Sequence, residues 1–96
     1  MTTREKNKQF KAIAAIFAGR GIDSYSDCEG KHEYLVIGDG CGHCVTLQLE
    51  QYSFWKLTVW HFGDVTYTDQ QVAGLPPAAV AEWLAAAFDR PVTPQE

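Results

Sequence analysis

His43-Cys44-Val45-Thr46-Leu47-Gln48-Leu49-Glu50, then Gln51-Tyr52-Ser53, then Phe54-Trp55-Lys56-Leu57-Thr58-Val59-Trp60-His61: this stretch decides the fold of the 96-residue chain. Apolar and polar residues alternate on both sides of a short break, the period of two expected of strands with one buried face. Val45, Leu47 and Leu49 share one side of the first segment, and Cys44, Thr46, Gln48 and Glu50 share the other. A turn centred on Tyr52 pairs Glu50 with Phe54 and, at the far end, His43 with His61. Trp55, Leu57, Val59 and His61 then fall on the buried side. Phe54, Trp60 and Phe62 fall on the wet side, where aromatics are candidates for partner contact. A last strand, the N-terminal arm or a second copy of the chain would cover them equally well.

The same period continues outward. Short β-branched and aromatic runs predict strands at about 22–26, 32–37, 43–50 and 54–61, a further one at 65–68, and a turn over Asp27-Cys28-Glu29-Gly30. Such close spacing leaves room only for hairpins, because parallel pairs need crossovers of roughly a dozen residues or more. Before the strands, Thr2-Thr3-Arg4-Glu5 has capping-box spacing, and Phe10, Ile13, Ala14 and Phe17 form one stripe of a helix over about 4–18 that Gly19 and Gly21 end. After them, Pro76-Pro77 opens a helix over about 76–89 with Val80, Trp83, Leu84, Ala87 and Phe88 as its stripe, leaving 91–96 as a loose tail. The expectation is a single α+β domain, order α-β-β-β-β-(β)-α. Its antiparallel meander of four or five strands is packed on one face by an N-terminal and a C-terminal helix.

Ninety-six residues support one core between two layers, but not a core plus a deep enzymatic cleft. No 18-residue apolar run exists to span a bilayer, and the N-terminus lacks the cleavage pattern of a signal peptide. Three cysteines, an odd number, argue against a secreted disulfide framework, so a cytoplasmic setting is expected. Charge is unevenly spread: residues 1–20 hold five Lys or Arg against one acid, and residues 21–96 hold three against eleven. An acidic body does not attract phosphate backbones, which excludes direct nucleic-acid binding and suits a basic protein partner. Asp23, Asp27, Glu29 and Glu33 gather around the first turn as an acidic patch, since their spacing lacks the order of a calcium loop.

Reactive side chains concentrate in Gly38-Asp39-Gly40-Cys41-Gly42-His43-Cys44. Cys41-Gly42-His43-Cys44 resembles the active-site motif of the protein disulfide isomerase family, which implies a low-pKa thiolate at a helix N-terminus. Here a strand pattern follows instead. The C-x-x-C spacing on a glycine turn also suits zinc, with Cys41, His43, Cys44 and His61 as ligands, although alternation points Cys44 away from His43. A second pair, Cys28 and His32, would lie roughly 20 Å from the tip of the hairpin. Cys41 activated by His43 or His61 as a nucleophile is a third chemistry, and nothing specifies its substrate. Against all three, Asp39-Gly40 is a strong hairpin signal, and a buried thiol behaves as a small hydrophobe.

The residues therefore favour a non-catalytic protein-binding module without cofactor. It is similar in general character to the small acidic inhibitors by which phages and mobile elements block host defence nuclease complexes, by mimicking nucleic acid or by steric obstruction. The rival expectation is a zinc-binding or thiol-dependent protein using the Cys41/His43/Cys44/His61 cluster. A homodimer through the exposed sheet is compatible with the first.

Overall fold

The computed structural model describes residues 2–30, 32–38, 42–51 and 53–90. It begins with helix α1 (Thr3–Gly19), whose N-terminus is closed by the expected capping box: the Thr2 hydroxyl accepts from Glu5 N–H at 3.2 Å and the Glu5 carboxylate from Thr2 N–H at 3.4 Å. Its C-terminus is closed by N–H groups of Gly21 and Ile22 donating to the Ala18 and Phe17 carbonyls, both at 3.0 Å. These bonds satisfy carbonyls that the end of a helix otherwise leaves open.

Five strands follow, β1 (Ser24–Glu29), β2 (His32–Gly38), β3 (His43–Glu50), β4 (Phe54–His61) and β5 (Asp64–Val72), and then helix α2 (Pro77–Phe88). They form one open sheet in sequence order with every neighbouring pair antiparallel, which is the meander the spacing dictates. The β3–β4 register is the one the alternation predicts, from Glu50 opposite Phe54 to His43 opposite His61.

Both helices cover one face. Phe10, Ile13 and Phe17 of α1 and Val80, Leu84 and Ala87 of α2 are buried with Leu35, Ile37, Val45, Leu47, Trp55, Leu57 and Val59 of the sheet. Trp55 is fully buried, its ring centroid 5.7 Å from that of Phe10. Removing each such side chain from water is worth about 1.5–3 kcal/mol, which is offset against the entropy of ordering the chain. Arg20 at the end of α1 pairs with Glu82 of α2, and Lys6 pairs with Glu33 at 2.7 Å, tying α1 to its neighbours at the rim.

The edge strands differ most from expectation. β1 starts two residues later than the apolar pattern suggests and runs through Asp27-Cys28-Glu29, which had the composition of a turn. Ile22 is instead held by its backbone bond to Phe17 at the helix terminus. β5 extends past Thr68 through Asp69-Gln70-Gln71-Val72, because Trp83 of α2 donates its indole N–H to Asp69 at 2.9 Å and so makes an acidic residue acceptable on the helix-covered face. No helix among the described residues is long and apolar enough to cross a membrane.

Candidate functional site

The face of the sheet opposite the helices is bare among the described residues, and the registers order its side chains into rows. Cys44 and Trp60 lie across from one another with Gly38 and Val65 outside them; next come Tyr25, Val36, Thr46, Thr58 and Thr68; then Asp27, Tyr34, Gln48, Lys56 and Gln70. Over β1 to β4 these rows surround a depression of about 420 Å³. Its floor is apolar: Val36 is only 4% exposed and Cys44 only 6%, although neither faces a helix. Tyr25, Tyr34 and Trp60 line it above that floor, with Asp27 and Glu29 at the β1 side. The Trp60 indole donates to the Thr46 hydroxyl at 3.0 Å, which fixes the ring on the sheet. Tyr34 donates its phenol to Asp27 at 3.4 Å. Desolvation first, then the Asp27 carboxylate, pushes the Tyr34 hydroxyl above its ordinary pKa.

The three aromatics expected on this face do not cluster. Phe54 and Trp60 occupy opposite ends of β4, roughly 20 Å apart at the rise of a strand. Phe62 lies beyond β4 in the two-residue turn to β5, 74% exposed, with its ring 4.7 Å from that of His61. Both turn residues have positive φ, 49° at Phe62 and 86° at Gly63, the pairing a hairpin of this length demands. Glycine takes that conformation freely, whereas a phenylalanine is strained there.

The acidic patch is divided. Asp27 and Glu29 share the bare face at the depression, and among the described residues neither has an ion-pair partner. Glu33 points to the helix side, where Lys6 neutralises it, and Asp23 precedes β1 at the Gly38 end, with its carbonyl accepting from Gly38 N–H. Glu50, at the far corner of the face, pairs with Lys56 at 3.7 Å.

The Cys/His cluster is divided as well. His43 and His61 meet on the helix side, ring centroids 5.9 Å apart, while Cys44 is on the opposite face, as the alternation requires. Cys41, together with Asp39-Gly40, where a hairpin turn was expected, lies outside the described residues. His43 Nε2 bonds the backbone carbonyl of Phe88, and its ring packs 4.8 Å from the Phe88 ring. That bond satisfies a terminal carbonyl of α2, a helix with no basic residue of its own in the last turn. The Nδ1 atoms of His43 and His61 are buried without a hydrogen-bond partner. Gly38 makes this packing feasible, for a Cβ there would sit 2.7 Å from the His43 carbonyl oxygen and 3.0 Å from the Phe88 ring. Among the described residues no three metal-ligating side chains converge. Cys28 and His32 also face opposite sides of the sheet, since Cys28 is across from Glu33 while His32 is across from Glu29.

Sequence reasoning missed Tyr25, Tyr34 and Val36 as contributors to the bare face. In β2 both alternating sets are largely apolar, Tyr34 and Val36 against Leu35 and Ile37, so periodicity alone does not choose between the faces.

The two sheet edges carry a shared device. Backbone groups alternate in direction along an antiparallel strand. The bonds Gly38 N–H to Asp23 O and Ala73 N–H to Ser53 O therefore place the Cys28 and Gln70 amides on the free sides of β1 and β5. Each of these amides donates to the carboxylate of the preceding aspartate, Asp27 at 2.8 Å and Asp69 at 2.9 Å. A donor already satisfied, with a charge beside it, is a poor template for an added strand. The Trp83 bond first, then the Gln70 amide, also holds the Asp69 carboxyl below its ordinary pKa.

No protein-family model, no curated protein and no solved structure matches the chain.

Proposed function

We propose that this chain is a non-catalytic binding module that docks its bare sheet face, with the Asp27/Glu29 margin, on a basic surface of another protein. The observation that carries this reading is the depression itself: an apolar floor, aromatic surroundings and two carboxylates that, among the described residues, have no cationic partner, on a face that neither α1 nor α2 covers. Exposed aromatics beside uncompensated charge are what an interface core and its rim require. The guarded edges support face-on docking over strand addition. The chain's acidic body suits an inhibitor that occupies the basic nucleic-acid channel of a nuclease complex, where Asp27 and Glu29 stand in for phosphates.

The test is affinity capture from lysate of the native host with the wild-type chain, a Trp60→Ala variant and an Asp27→Asn/Glu29→Gln variant. A nuclease assay on the captured complex follows. The expected result is a complex whose capture falls about tenfold with either variant, about 1.4 kcal/mol, and weakens as salt is added. Its DNA cleavage stops at equimolar protein. Equal capture by wild type and both variants overturns docking through this face, and a captured nuclease that keeps its activity overturns inhibition.

A further inference from the structure

We infer that the depression is a subsite for one arginine side chain of the protein partner, an inference that rests on the docking proposed above and names the group recognised. Three observations converge on a cation with a flat apolar surface. First, the four acids in and around the β1–β4 surface are not equivalent: Glu33 and Glu50 are neutralised by Lys6 and Lys56, whereas Asp27 and Glu29 have no such partner among the described residues. Those two carboxylates lie at the depression, which His32, across from Glu29, also lines. Second, the Tyr34 phenol holds one oxygen of Asp27 and the Cys28 amide the other, so this carboxylate is oriented before any ligand arrives. Each oxygen still has a lone pair to offer a donor.

Third, Tyr25, Tyr34 and Trp60 give the depression aromatic walls above Val36 and Cys44, while His32, Thr46, Gln48 and Thr58 make up the polar part of its lining. A strongly hydrated ammonium gains little from such walls. The guanidinium is more weakly hydrated, stacks on aromatic rings, and offers five donors in a planar fork. Asp27 and Glu29 stand two residues apart on one side of β1, about 7 Å, close enough for donors on the two edges of one guanidinium. A volume of about 420 Å³ admits a long side chain and excludes a folded element such as a helix, so the rest of the partner would lie over the rows outside it.

The experiment titrates the full chain with N-acetyl-arginine amide, following backbone amides and the Trp60 indole N–H by two-dimensional NMR. N-acetyl-citrulline amide serves as the neutral isostere and N-acetyl-lysine amide as the compact cation. Saturable shifts confined to Tyr25, Asp27, Tyr34, Val36 and Trp60 are expected with arginine, with at least about tenfold weaker binding of citrulline and weaker binding of lysine. Asp27→Asn/Glu29→Gln should weaken arginine about tenfold, whereas Glu50→Gln, which removes one charge at the far corner, should leave it unchanged. Citrulline binding as well as arginine, lysine binding better, or shifts spread over every acidic residue would each overturn the subsite. Loss of the subsite with face-dependent partner capture intact leaves the docking proposal standing, and loss of capture through this face removes that proposal instead.

Discussion

The two faces of the sheet are made by the same five strands, yet they obey different rules. On the helix side every central position is apolar and closed, from Ile37 and Val45 to Leu57 and Val59. On the bare side the same strands carry threonines, glutamine and lysine around a small apolar floor that is buried by its own neighbours. The first face answers to packing, where each methylene matters. The second is polar and aromatic, with tyrosines, Trp60 and two carboxylates that have no ion-pair partner among the described residues. The pleat thus separates the packed core from the proposed docking face, residue by residue.

The largest effect that sharpens this contrast should come from adjacent residues of β4. Leu57→Ala, on the closed face, is expected to cost about 2–5 kcal/mol in denaturant unfolding, because it removes a fully buried side chain and leaves a cavity. Thr58→Ala, one residue along and on the bare face, should change stability by no more than about 0.5 kcal/mol. Comparable losses at the two positions would break the comparison.

A smaller effect, of opposite sign, is expected at the turn beyond β4. Phe62→Asn should stabilise the protein by about 1 kcal/mol in the same unfolding assay, by placing a residue tolerant of positive φ where a phenylalanine is strained. A loss of stability would mean that the contact of Phe62 with the His61 ring outweighs the backbone strain.

The smallest effect concerns the β5 edge. Asp69→Ala removes the acceptor for both Gln70 N–H and the Trp83 indole, and sedimentation is expected to show more self-association than the wild type. Asp69→Asn keeps an acceptor oxygen and should sediment like the wild type, yet it should alter the acid limb of stability. The folded Asp69 carboxyl titrates below its ordinary value of 3.8, so its ionised form stabilises the fold above that value and the contribution is lost as pH falls through the lower folded value. Thermal melts of Asp69→Asn from neutral to acid pH should therefore decline less steeply than those of wild type.

The central hairpin was legible because its alternation has only one solution: a slip of one residue would drive Thr46, Gln48, Lys56 and Thr58 into the core and expel Leu47 and Leu57. The far ends of the two edge strands were hidden for the opposite reason. A strand with a free side and a wet face has no need of apolar alternation, so Asp27-Cys28-Glu29 and Asp69-Gln70-Gln71 have turn-like composition while forming ladders. The same ambiguity concealed Tyr25, whereas Tyr34 was concealed because both alternating sets of β2 are largely apolar. His43 and His61 were correctly brought together by register, but the partner of His43, the Phe88 carbonyl, lies 45 residues away and has no sequence signal at all.

By itself the sequence determined both helices, the antiparallel order of the strands and the closed face of the central hairpin, because hydrophobic periodicity and short connections are local properties. Tertiary structure alone decided which of Asp27, Glu29, Glu33 and Glu50 meet a lysine among the described residues. Lys6 reaches Glu33 and Lys56 reaches Glu50, leaving Asp27 and Glu29 beside the tyrosines and Trp60, and which charges meet depends on how α1 and β4 are laid against the sheet.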